Sequence, residues 1–84
     1  LQVYPNPVGE QSVITVNRPE GEAILLELWS SQGQLVTQFT LLHTAMTWTG
    51  TDAQGHRLPA GLYFLRRQNG ASGESLKVYV NKQL

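Results

Sequence analysis

The stretch Ala23-Ile24-Leu25-Leu26-Glu27-Leu28-Trp29-Ser30, followed by Ser31-Gln32-Gly33, decides the fold. Ile24, Leu26 and Leu28 recur with a period of two and leave Glu27 and Trp29 on the opposite face, the pattern of a strand with one side buried. Helix is the competing reading, because Ala, Leu and Glu are good helix formers. No capping residue stands where such a helix would begin, and turn signals close in on both sides, Pro19-Glu20-Gly21 before it and Ser31-Gln32-Gly33 after it. The segment is therefore read as a strand. Its successor, residues 35–42, is dominated by Val36, Thr37, Phe39 and Thr40, which lose side-chain freedom in a helix and fit a pleated sheet. Gly33 between the two supplies the positive φ of a tight hairpin.

Working outward, short apolar stretches punctuated by Gly, Pro or polar clusters predict further strands at residues 1–4, 12–17, 44–49, 62–68 and 76–80. Met46 and Trp48 fall on a common face, and Trp48 is expected to be buried while Trp29 is at least partly exposed. Asn69-Gly70-Ala71-Ser72-Gly73 reads as the loop of a last hairpin. The longest irregular piece, residues 50–61, approaches the length at which loops are structured in their own right. Short alternating strands with regular turns predict an all-β, Ig-like antiparallel β-sandwich of about seven strands, since a sheet with one apolar face must cover it with another.

Composition bounds the function. The 84 residues suffice for one domain, expected to span 1–84; a first residue of Leu1 rather than Met suggests a piece of a longer chain. With 40% hydrophobic and 14% charged residues the chain is too apolar for disorder, and six basic residues balance six acidic ones. A neutral chain offers no broad attraction for nucleic acid or an anionic membrane. There is no cysteine, so neither a disulfide framework nor a thiolate is available.

Candidate chemistry is thin. A nucleophilic triad would have to draw on Ser12, Ser30, Ser31, Ser72 or Ser75 with His43 or His56 and the one aspartate, Asp52; no serine stands in a strained, glycine-flanked elbow. Of the glutamates Glu10, Glu20, Glu22, Glu27 and Glu74, most fall at turns or strand edges. Thr51-Asp52-Ala53-Gln54-Gly55 resembles a fragment of a calcium loop, but such loops need several converging carboxylates and this one holds one. A turn in which Asp52 accepts nearby backbone N–H groups and Gly55 takes positive φ is the better reading. Tyr63 and Phe64 beside Arg66 and Arg67 point to opposite faces of a strand, which removes a stacking platform for bases. No catalytic residue, metal or cofactor is assigned.

The remaining motifs have structural readings. In Tyr4-Pro5-Asn6-Pro7 two prolines fix φ and push the residues before them toward extended geometry, predicting a stiff, hydrogen-bond-poor exit from the first strand. In Leu58-Pro59-Ala60-Gly61-Leu62-Tyr63, proline and glycine suit a turn, after which Tyr63 buries its ring and returns its hydroxyl to the loop as in a tyrosine corner.

These motifs, in this order, resemble the C-terminal sorting domain of type IX secretion cargo. Tyr4-Pro5-Asn6-Pro7 looks like its "YPNP" opening, Ser31-Gln32-Gly33-Gln34-Leu35-Val36 like its "S-x-G-x-x-V" hairpin, Pro59-Ala60-Gly61-Leu62-Tyr63 like its "P-x-G-x-Y" motif, and Lys77-Val78-Tyr79-Val80 followed by Lys82 like its final strand. The ending Asn81-Lys82-Gln83-Leu84 departs from the usual basic or Val/Lys-rich terminus. The stretch from Trp48 to Tyr63 is also similar to the Ig-like domain of flagellar hook-capping proteins. The first resemblance implies a non-catalytic address label of a Gram-negative bacterium, carried through the outer membrane to the cell surface. Its implied partners are the outer-membrane translocon, a cell-surface sortase and an upstream cargo domain of the same chain. The implied recognition residues are Tyr4, Pro5, Asn6, Pro7, Gly33, Pro59, Gly61, Tyr63, Lys77, Val78, Tyr79, Val80 and Lys82. Two rivals stand beside it: a related domain retained in the secretion machinery, and a structural or carbohydrate-binding module using Trp29 or Trp48. For recognition, an open sheet edge at residues 76–80 is expected to take a partner by strand addition, and open edges also allow an edge-strand dimer.

Overall fold

The computed structural model describes residues 1–16, 23–68 and 75–81. Seven strands follow one another: β1 Gln2–Tyr4, β2 Ser12–Thr15, β3 Ile24–Ser30, β4 Leu35–Leu41, β5 Ala45–Trp48, β6 Gly61–Arg67 and β7 Ser75–Val80. They form two antiparallel sheets, one ordered β1-β2-β5 and the other β4-β3-β6-β7. The predicted strands are all present, trimmed or extended by a residue or two at their ends. The turn clusters at 19–21 and 69–73 lie outside the described residues.

The alternation of β3 does what its sequence dictates. Ile24, Leu26 and Leu28 are buried, and Trp29 is half-buried on the other face. Leu26 and Leu28 meet Phe39 and Thr37 on β4 and Arg67 and Leu65 on β6. The two sheets close over a core that includes Val3, Ile14, Leu26, Leu28, Leu41, Trp48, Tyr63, Leu65, Val78 and Val80. Phe39 meets Trp48 edge-to-face across it, with ring centroids 5.5 Å apart. Burying Leu26, Leu28 and Leu65 contributes roughly 1.5–3 kcal/mol each before the entropy of ordering the chain is subtracted.

The β3–β4 hairpin turns at Gly33, whose φ of 85° admits glycine and strains most other residues. The Ser30 hydroxyl accepts the Gln32 and Gln34 N–H groups at 3.2 Å, closing the turn from within. The segment between β5 and β6 is structured rather than slack. Asp52 Oδ1 accepts the Gln54 and His56 N–H groups at 2.9 Å, as its turn reading requires. Thr51 pairs with Arg57, and Leu58 returns to the core.

Candidate recognition surface

The first proline motif departs from its expectation. The Tyr4–Pro5 and Asn6–Pro7 peptide bonds are both cis, and the segment bends instead of running out extended. Nor is it poor in hydrogen bonds. The buried Ser12 hydroxyl donates to Pro5 O at 2.6 Å. Val8, fully buried, donates its N–H to Tyr79 O at 2.6 Å and accepts the Asn81 N–H at 2.9 Å. Those two bonds make a one-residue parallel ladder between Val8 and Val80.

Asn6 extends that ladder with its side chain. Its Nδ2 donates to Lys77 O at 2.9 Å, and its Oδ1 accepts the Tyr79 N–H at 3.0 Å. In a parallel ladder, the residue two before Val8 would donate its N–H to Lys77 O and accept from Tyr79 N. The carboxamide supplies the same donor and acceptor, so it stands in for the main-chain N–H and C=O of one residue of an eighth strand. Residues 5–8 therefore form a strap along the outer edge of β7. The edge expected to be open is covered from Lys77 O to Asn81 N.

The second proline motif folds as expected. The Tyr63 hydroxyl donates to Pro59 O at 2.7 Å, and the ring is buried. Burial also raises the phenol above its ordinary value, since the charged form would be desolvated. Gly61, at a φ of 150°, starts β6 in a backbone conformation that side chains disfavour.

The remaining motif residues divide by exposure. Val78 and Val80 sit in the core between the sheets, while Lys77 and Tyr79 face outward and Tyr4 is 76% exposed. Lys82 lies outside the described residues. On the outer face of the larger sheet, cross-strand pairing sets Leu35, Trp29, Phe64 and Lys77 in one row, with Leu62 beside Tyr79 in another. Trp29 is not a bare platform: its Nε1 donates to Glu27 Oε1 at 3.2 Å, and the Arg66 guanidinium lies 5.9 Å from the ring centroid. Trp48 is buried, with its Nε1 donating to Thr51 O at 3.0 Å.

Two residues that sequence reasoning missed hold the surface together. Val8, a lone apolar residue between Pro7 and Gly9, gave no periodic signal of burial. Arg57 donates from Nη1 to Thr49 O at 2.6 Å and from Nη2 to Asn81 O at 3.4 Å, tying the β5–β6 segment to the residue that also bonds Val8. A single arginine in a turn-rich stretch carries no pattern from which this is legible.

Comparison with known proteins identifies the group to which these motifs belong. The family described as the secretion system C-terminal sorting domain matches residues 2–81. The chain belongs to this family. The sorting domain is also similar in fold to two solved chains from Porphyromonas gingivalis. One is PorZ, described as an essential bacterial surface component of the type IX secretion system, with 23% identity, a TM-score of 0.69, and coverage of 96% of this chain and 11% of that one. The other is dimeric latent PorU, with 22% identity, a TM-score of 0.65, and coverage of 98% of this chain and 9% of that one. The sorting domain thus spans about a tenth of each of those chains. No curated protein matches it.

Proposed function

We propose that this domain is the export address of a longer chain, read by the outer-membrane translocon and a cell-surface sortase of a type IX system, and that it carries no catalysis of its own. The observation that carries the reading is the family match across residues 2–81. The closed edge revises how the address is read. Strand addition along the covered part of β7 would have to displace the strap, so recognition falls to side chains: Tyr4, Lys77 and Tyr79, presented where the two ends of the domain meet. Pro5, Asn6, Pro7, Gly33, Pro59, Gly61, Tyr63, Val78 and Val80 act as positioning residues that hold this surface in shape.

The test is export of a reporter fused ahead of the domain in a bacterium with a type IX system. The paired change Lys77→Glu and Tyr79→Ala alters exposed side chains, so the reporter is expected to stay inside the cell while the purified domain unfolds as cooperatively as wild type. Surface display at the wild-type level would overturn the assignment of those residues. Undiminished display after deletion of residues 75–84 would overturn the address itself.

A second reading, a domain retained in the secretion machinery, draws on the description of PorZ as a surface component of that system. The mass of the parent protein at the cell surface separates the two: a chain still carrying residues 1–84 favours retention, and its loss favours a removable address.

A further inference from the structure

We propose that the Asn6 carboxamide is a built-in plug that keeps the outer edge of β7 from pairing with β7 of a second copy of this chain. A strand edge presents unpaired N–H and C=O groups that template association unless something covers them. Along β7, the main-chain groups of Ser75, Lys77 and Tyr79 face away from β6, as the bonds from Lys77 O and Tyr79 N to Asn6 establish. Val8 covers the far end, at Tyr79 O and Asn81 N. Among the described residues, Asn6 alone covers Lys77 O.

The edge that Asn6 blocks is self-complementary. Two β7 strands running antiparallel about Leu76 set Ser75 of each copy opposite Lys77 of the other, so every Lys77 faces a hydroxyl and no two ammonium groups meet. That register uses Lys77 O, the atom that Asn6 occupies, and leaves the Val8 bonds in place. The chain also has zero net charge, so no general repulsion keeps two copies apart. Among the described residues, neither the Ser75–Lys77 register nor the net charge opposes pairing; the plug does. An asparagine suits the task because its side chain carries both halves of a peptide group, whereas aspartate offers only acceptors and serine is too short to span Lys77 O and Tyr79 N together.

Two measurements test the plug. In the wild-type chain, the Tyr79 amide is expected to exchange with solvent at least about tenfold more slowly than an unbonded amide, because Asn6 holds it. Exchange at the unprotected rate would overturn the proposal without any variant. The Asn6→Ala chain is then compared with wild type by sedimentation across a range of concentrations. Its mass is expected to rise toward double while wild type stays single, and Asn6→Ala combined with Ser75→Lys, which sets lysine opposite lysine, is expected to return it to single. A mass that stays single in Asn6→Ala overturns the proposal. So does a doubled mass that Ser75→Lys leaves unchanged, which is the result that loss of folding and non-specific association would give.

Discussion

The two proline motifs of this domain hold their surroundings over very different distances along the chain. Pro59-Ala60-Gly61 is fastened by Tyr63, four residues from its acceptor. Tyr4-Pro5-Asn6-Pro7 is fastened by Asn6 to Lys77 and Tyr79, 71 and 73 residues away. The first motif shapes its own corner and starts β6 in register. The second joins the start of the domain to its last strand, and it does so with a side chain posing as backbone. A motif of the first kind can form as soon as its own residues condense. The Asn6 bonds of the second have no partner until β7 is in place, which makes them a late reporter of the complete fold.

The largest break in that contrast comes from the corner. Tyr63→Ala removes a buried ring and its hydrogen bond, and is expected to cost about 3–5 kcal/mol, most of the stability of a domain this small. Urea unfolding followed by the fluorescence of buried Trp48 should show the midpoint collapse toward zero denaturant. On the strap, Val8→Ala removes two methyl groups from a fully buried site and is expected to cost about 2 kcal/mol. An effect within error of zero would mean that the strap does not rest on the core.

Asn6→Asp sharpens the contrast by separating the two halves of the peptide mimic. The carboxylate still accepts the Tyr79 N–H but sets negative charge against Lys77 O, at an expected cost of about 1–2 kcal/mol. Protonation restores a donor, so the deficit relative to wild type should shrink as pH falls through the raised folded value of this carboxyl and be relieved by about 4, the ordinary aspartate value. The group's folded value is raised above its unfolded one, so the stability it contributes is fully present below the unfolded value and is lost as pH rises through the folded one. A deficit that ignores pH would show that the donor half of Asn6 does nothing.

The same contrast explains what the amino-acid order reveals. Strand β3 was legible because it alternates within itself, Ile24, Leu26 and Leu28 against Glu27 and Trp29, and β4 because Val36, Thr37, Phe39 and Thr40 fit a pleated sheet. The tyrosine corner was legible because proline, glycine and tyrosine meet within five positions and each has a local conformational reason to be there. The strap was not. An asparagine between prolines reads as part of a stiff, extended exit from the first strand, and nothing near residue 6 says that its amide lines up with the edge of β7. Fully buried Val8 has no apolar neighbour at a spacing of two to flag it. Side-chain stand-ins for backbone are settled by tertiary placement, and a single sequence carries no trace of that placement.

The smallest expected effect is the finest test of the corner. Tyr63→Phe keeps the ring and leaves Pro59 O without its donor, at a cost of about 1 kcal/mol near neutral pH. Burial raises the Tyr63 phenol in the folded chain, so the unfolded chain gives up this proton first as the solution becomes alkaline. The stability contributed by the neutral, bonded hydroxyl is therefore fully present below its ordinary value of 10.0 and is lost as pH rises through the higher folded value. Phenylalanine has no proton to lose. The margin of wild type over Tyr63→Phe should hold steady up to that ordinary value and then narrow above it, and taking the difference between the two chains cancels every other titrating group. A margin that stays level through strongly alkaline solution would mean that the hydroxyl reaches water, and the corner would then hold by its ring alone.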